Sequence, residues 1–369
     1  MSQTVVPVAI RFWLRIFGQI ERFLLSIPRF LWILALPVIS VIHGGYELSM
    51  PYNGVANLTE TFPVPVNTSE GCSYGIRTIA WLLRINEADS FTRMCVLLTC
   101  ATLWIMGVLV FRVLPKRSAI VVSVLLALGP VGETLFGAIG RSDVLLLFGA
   151  LVLGVVGRNI LIGAVAGIIM FAGNPEQAAA ASIAFMFVAL ALRLPGMVRA
   201  AASAFVVSVF LYGGMLIWFE HQGYKSRVDS LGPNIRQSLS FFLQAAPMSF
   251  YAAFGLATVF VVITCTVLWW RRSLLLVVGI VIIPMIFTAI TLDQTRITVA
   301  LSCAGIAAVL VWSVPKCLRA LDDFGFSSGL AVLTIVALLL PSIAVSYPGE
   351  IILPYKTAVE QFFNPAAGG

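Results

Sequence analysis

Residues 143–171 read DVLLLFGALVLGVVGRNILIGAVAGIIMF, two apolar runs opened by Asp143 and joined only by Arg158-Asn159. Neither run alternates with a period of two, and with local thinning each can cross hydrocarbon about 30 Å thick. In hydrocarbon every backbone donor and acceptor must be satisfied within the chain. That leaves helices or closed barrels, and unbroken apolar blocks are helical. So short a link admits only an antiparallel hairpin, and the stretch predicts two neighbouring transmembrane helices.

The rest of the chain repeats this pattern. Of 369 residues, 60% are hydrophobic and 11% charged, with a mean hydropathy of +1.01. A soluble globular domain carries about 25% charged residues, so a water-soluble domain is excluded. Further apolar runs begin near Phe30, Met94, Ala119, Ala178, Val198, Met248, Leu274, Ile297 and Gly329. With the opening pair they predict an all-α, polytopic transmembrane helix bundle of about eleven spans, a single integral membrane domain over residues 1–369. Ala178–Ala191 and Ala201–Gly214 are rich in small residues that let helices approach closely. Before the first run, RFWLRIFGQIER (Arg11 to Arg22) mixes Arg with aromatic and aliphatic residues, which suits a cytoplasmic interfacial helix over 11–28. The run that follows has no small-residue cleavage site and reads as a retained helix, not a signal peptide.

Orientation follows from the loops. One alternate set holds Lys116-Arg117, Arg158, Arg193, Arg199, Arg271-Arg272, Lys316 and Arg319; the other holds Glu47, Asp89, Asp143, Glu176, Glu220, Asp229, Asp293 and Glu350. The positive-inside rule places the basic set and the amino terminus in the cytoplasm and the carboxyl terminus outside, in the cytoplasmic (inner) membrane. A net charge of +7 scattered at the ends of apolar runs is an orientation signal, and nucleic acid is not an expected partner. Two extracytoplasmic loops are long, 43–93 and 220–247, and long loops in compact proteins are usually functional. The first contains YGIRTIAWLLRI (Tyr74 to Ile85), too short to span and amphipathic at helical spacing, hence an outer interfacial helix.

Ionisable groups near bilayer depth cost about 2.5–3.5 kcal/mol on insertion scales, so those at span ends point to function. Four clusters stand at the extracytoplasmic face. In His43-Gly-Gly-Tyr46-Glu47, the Glu47 carboxylate can serve as a general base for an acceptor hydroxyl, or as a solvated loop acid, in competition with Glu60, Glu70, Glu87 and Asp89. In Gly140-Arg141-Ser142-Asp143, Asp143 can cap the helix it opens, and Arg141 can fork onto a phosphate. In Gly173-Asn174-Pro175-Glu176-Gln177, the side chains of Asn174, Glu176 and Gln177 can meet sugar hydroxyls or solvent. In Asp293-Gln294-Thr295-Arg296, Arg296 sits at a helix amino terminus whose dipole opposes it and needs a partner, either Asp293 or an anionic ligand such as a lipid-linked phosphate. The second loop adds Glu220, His221, Lys225, Arg227 and Arg236.

The two His and six Cys form no metal-ligand spacing, and no phosphate-cradling Gly loop appears. No cofactor is expected, although a carboxylate site for a divalent metal stays open. ATP hydrolysis within the chain is not expected.

In these motifs and their order the chain resembles the C-type glycosyltransferase superfamily, multi-span enzymes that use polyprenyl-phosphate sugars. The likeness rests on a first helix leading into a long outer loop with an acid (Glu47), on Arg141-Ser142-Asp143 before an apolar helix, on Asn174-Pro175-Glu176-Gln177 before another, and on Arg296 opening a late one. Glu47 stands alone where paired acids are usual, and no aromatic residues follow Arg296. The resemblance implies an enzyme that moves a sugar from a polyprenyl-phosphate-linked donor to a glycan or glycolipid acceptor at the outer face, with Glu47 catalytic and with His43, Arg141, Asp143, Asn174, Glu176, Gln177, His221, Asp293 and Arg296 binding substrate. Two other classes are compatible with the sequence. A lipid-linked glycan polymerase or ligase would use two lipid-linked substrates, and a lipid or solute transporter would need broken helices and midplane polar groups, of which Gly129-Pro130 and Glu133 are the visible signs.

Overall fold

A computed structural model describes residues 8–48, 74–137, 139–222, 235–289, 294–341, 344–345 and 351–352. The regular structure among the described residues is helical apart from a short antiparallel pairing of Ala344–Val345 with Ile351–Ile352 and a bridge between Leu48 and Ile139. In chain order the helices are α1 (Val8–Ser26), α2 (Arg29–Gly44), α3 (Tyr74–Leu82), α4 (Ala88–Val113), α5 (Lys116–Ala127), α6 (Pro130–Phe136), α7 (Asp143–Val156), α8 (Ile160–Gly173), α9 (Pro175–Ala191), α10 (Pro195–Gln222), α11 (Ile235–Phe254), α12 (Ala257–Val267), α13 (Trp270–Val277), α14 (Ile283–Ala289), α15 (Gln294–Asp323) and α16 (Gly329–Leu339). All eleven apolar runs begin within one of them.

The side chains are sorted as a membrane protein requires. On α8, Leu161, Val165 and Ile168 face outward while Gly163, Ala166, Gly167 and Met170 are buried. On α10, Val206, Val209, Phe210 and Ile217 are exposed and Ala200, Ala201, Ala204 and Ser208 buried. Large apolar side chains outside and small ones inside would be an aggregation surface in water, but suit lipid, where helices associate through close packing. The approach of α8 to α10 shows how close: a Cβ on Gly163 would lie 2.1 Å from the Ala200 carbonyl oxygen, and one on Gly167 2.7 Å from that of Ala204.

Among the described residues, four helical segments are long and apolar enough to cross a membrane, Ala88–Val113, Pro195–His221, Trp270–Ala289 and Thr295–Asp323, and seven if each of three bent pairs counts as one span. The segment Trp270–Ala289 includes one π-helical stretch, Val278–Ile282, where Gly279 lets the chain approach Ala184 of α9. Helix α15 is central, with α7, α9, α5 and α12 around it and nearly all of its apolar window buried.

The bent pairs are Arg15–Ser26 with Arg29–Gly44, turned by 106°, Lys116–Ala127 with Pro130–Phe136, by 49°, and Pro247–Phe254 with Ala257–Val267, by 88°. Pro28 and Pro130 stand at two of these breaks, each at or just before the start of the following helix, where a missing N–H costs nothing. Helix α1 therefore lies across α2 instead of extending it, with Phe12, Trp13 and Phe23 exposed. Its Glu21 is buried and its carboxylate accepts from the Leu330 and Ala331 N–H groups at 3.1 and 3.4 Å, at the start of α16. Arg117 of α5 lies 2.6 Å from Glu21 and also pairs with Asp322. This node ties α1, α5, α15 and α16 together at the end of the bundle where α5 starts and α15 finishes.

Candidate functional site

At the opposite end, segments far apart in sequence converge. Helix α7 starts at Asp143 and helix α15 at Gln294, and packing of α7 on α15 sets their amino termini side by side. Asp143 Oδ2 then lies 3.0 Å from Arg296 Nη1, with the carboxylate almost fully buried at 8% side-chain exposure and the guanidinium at 24%. Two clusters that are 153 residues apart in the chain form one ion pair. No side chain makes a capping hydrogen bond at the start of α7. The carboxylate that could have capped it is turned to Arg296 instead. Arg296 is thereby offset against the positive helix end it occupies. Asp293, the local partner expected for Arg296, lies outside the described residues, as do Lys225 and Arg227.

The third cluster abuts the first two. Gly173 packs so tightly on the start of α7 that a Cβ there would be 2.4 Å from the Leu146 nitrogen and 2.9 Å from the Ser142 carbonyl oxygen. The next residue, Asn174, is buried and caps α9: its Oδ1 accepts from the Gln177 N–H at 3.3 Å. Its amide oxygen is therefore engaged in structure. Glu176 Oε2 and Gln177 Oε1 are buried without a hydrogen-bond partner. Buried acceptors without donors are costly, and they offer a hydroxyl-bearing ligand a gain that a solvated turn would not.

Glu47 is fixed by its backbone. Its N–H donates to the Phe136 carbonyl at 2.8 Å and its carbonyl accepts from the Ile139 N–H at 3.1 Å, two residues before Arg141. The residue expected to act as base thus leaves α2 at the same end as Asp143 and Arg296. Arg141 is half-buried beside them in the chain. His221 stands exposed at the end of α10, and His43 faces a separate cleft with Glu133 and Tyr251.

One residue escaped sequence reasoning. The stretch expected to form an outer interfacial helix is helical, as α3, with Trp81 and Leu82 exposed. It is docked on the bundle, because a Cβ on Gly75 would come within 2.6 Å of the Ala172 carbonyl oxygen and 2.4 Å of Leu145. Two residues on, Arg77 is buried at 7% exposure. A buried Arg over the α7 and α8 ends adds a cation to the same end of the bundle. The Gly75 that permits the approach was the only available signal.

Among the described residues no three His, Cys, Asp or Glu side chains come together as a metal site. No protein-family model, curated protein or solved structure matches the chain.

Proposed function

We propose that the chain is a membrane glycosyltransferase that moves a sugar from a polyprenyl-phosphate donor to a cell-envelope glycan or glycolipid at the extracytoplasmic face of the cytoplasmic membrane. The observation that carries this reading is the Asp143–Arg296 pair, held between two helix starts at the end of the bundle that also receives Glu47, Arg77, Arg141, Glu176 and Gln177. In the reaction the acceptor oxygen attacks the anomeric carbon, Glu47 takes the hydroxyl proton, and the bond from that carbon to the phosphate oxygen breaks. Polyprenyl phosphate leaves with its electrons and its charge, which Arg296 and Arg141 stabilise. Asp143 keeps the Arg296 guanidinium in position for the phosphate.

The same reading sets the topology. The count reaches eleven crossings when the bent pairs and the four shorter apolar helices, Asp143–Val156, Ile160–Gly173, Pro175–Ala191 and Gly329–Leu339, each span. The Lys and Arg loops then face the cytoplasm with the amino terminus, and the site faces outward.

The test is transfer by the purified chain in vesicles, with a panel of radiolabelled polyprenyl-phosphate sugars and envelope glycolipid extract as acceptor. Transfer by wild type, lost in Arg296→Ala, supports the reading. Growth of one lipid-linked glycan on another would favour the polymerase or ligase. A transporter draws on a specific observation, the two helix breaks facing each other at Pro130 and Gly255, where a Cβ on Gly255 would meet Pro130 Cδ at 3.4 Å. Solute movement across the vesicle wall without transfer would bring it first.

A further inference from the structure

Apart from the Asp143–Arg296 pair and the Glu21 node, three cations from two distant segments come together. Arg272 stands in the first turn of α13, and Lys316 and Arg319 follow Pro315 in α15. The charged groups acting on Lys316 are Arg272 and Arg319, both of its own sign. Asp322 pairs with Arg117, and among the described residues neither it nor Asp323 forms an ion pair with any of the three.

Each cation is anchored behind its tip and open in front. Arg272 Nε donates to the Ala191 carbonyl at 2.7 Å, at the end of α9, and Arg319 Nε to the Pro315 carbonyl at 3.2 Å. Those bonds fix both guanidinium groups and, among the described residues, leave Nη1 and Nη2 of each without a protein acceptor. Lys316 Nζ lies 3.0 Å above the centre of the Trp312 ring, whose face attracts the charge without neutralising it. Lys316 and Arg319 are exposed and Arg272 is half-buried, so the group is reached from the surface.

Helix ends offset only part of this charge. A helix carboxyl terminus supplies about half a negative charge and acts within its last turn, so the ends of α9 and α15 together answer about one of the three positive charges. The remainder attracts an anion, and two guanidinium forks beside an ammonium match the oxygens of a phosphate. A headgroup with its own ammonium would leave the repulsion in place, which favours an anionic one. The surroundings point to a lipid as the bearer. Trp269 and Trp270, 79% and 73% exposed, directly precede Arg271-Arg272, and Val267 and Leu274 on either side are exposed too. Tryptophan collects at the headgroup level of a bilayer, so a phosphate bound here lies at headgroup depth.

We propose that Arg272, Lys316 and Arg319 bind the headgroup phosphate of an anionic glycerophospholipid in the leaflet that the Trp269-Trp270 pair enters. The binding requires no sugar transfer and draws nothing from the transferase reading.

The test is equilibrium binding of a fluorescent phosphatidylglycerol to the full chain in neutral detergent, read by anisotropy, beside phosphatidylcholine carrying the same fluorophore. Phosphatidylglycerol should bind more tightly, and Lys316→Gln and Arg319→Gln should each weaken it about fivefold, the effect of one basic residue near an anionic surface, with phosphatidylcholine binding unchanged. Both variants leave the Arg272–Ala191 contact in place, and an unaltered size-exclusion profile shows that they fold. Arg93→Gln and Arg112→Gln, which remove exposed cations elsewhere, should leave phosphatidylglycerol binding as it is. Equal affinity for the two lipids, no loss in Lys316→Gln and Arg319→Gln, or an equal loss in the Arg93 and Arg112 variants would overturn the inference. Displacement of the probe by inorganic phosphate as effectively as by unlabelled phosphatidylglycerol would make the ligand a soluble anion and overturn it as well.

Discussion

Arg296 and Asp143 each occupy the first turn of a helix, and only the acid is at home there. A buried acid and a half-buried base held 3.0 Å apart leave an uncompensated charge when one is removed, at a cost below the about 3–5 kcal/mol of a fully buried pair, whereas replacing both by apolar residues of similar volume is often neutral. Asp143→Ala and Arg296→Ala should each lower the thermal midpoint in detergent, and the double variant Asp143→Leu/Arg296→Met should recover most of it without recovering transfer. A double variant that transfers sugar would make the pair structural only. Asn174→Ala, which removes the α9 cap, should cost about 1 kcal/mol in the same measurement. Both charged residues were legible as candidates in the sequence, but their pairing was not. Asp293 three residues from Arg296 offered a local partner, and nothing in a single sequence connects positions 143 and 296. Arg77 was hidden for a related reason: an amphipathic segment with Arg reads as interfacial whether its Arg faces water or protein.

Among the elements, those with uniform apolar runs were readable, since each run must satisfy its backbone internally. The breaks were not. Gly129-Pro130 announces one, but the 88° turn near Gly255 and the π-helical stretch at Val278–Ile282 carry no strong signal beyond a glycine. They are set by what packs against them, Pro130 in one case and Ala184 in the other. The α8–α10 contact has no room for side chains at Gly163. Gly163→Leu should abolish the folded species, read as loss of a monodisperse peak in size-exclusion chromatography, while Leu161→Ala on the outward face should leave it. At the other end Glu21 connects α1 to α5 and α16. Glu21→Ala leaves Arg117 with Asp322 and deprives two N–H groups at the start of α16 of their acceptor. Hydrogen exchange should quicken across α1 and the first turn of α16 and stay unchanged in α8; equal exchange in wild type and variant would show that the node does not hold α1.

For the whole molecule, the segregation of charge is legible from the sequence alone, because loops alternate between faces along a polytopic chain. Within the bundle Glu21, Arg117 and Asp322 form one charged cluster, and Asp143 and Arg296 another. Cys72, which lies outside the described residues, falls in the loop expected outside, whereas Cys95 and Cys303 are buried. A membrane-impermeant maleimide should label Cys72 in intact cells and leave Cys95 and Cys303 unmodified. Labelling of Cys72 only after permeabilisation would invert the orientation and put the site in the cytoplasm. The central claim, that the outward end performs sugar transfer, is tested most directly by mass spectrometry of the envelope glycans of cells lacking the chain, complemented with wild type, Glu47→Gln or Arg296→Ala. The account predicts loss of one sugar or branch that wild type alone restores; a glycan profile unchanged by deletion would contradict it.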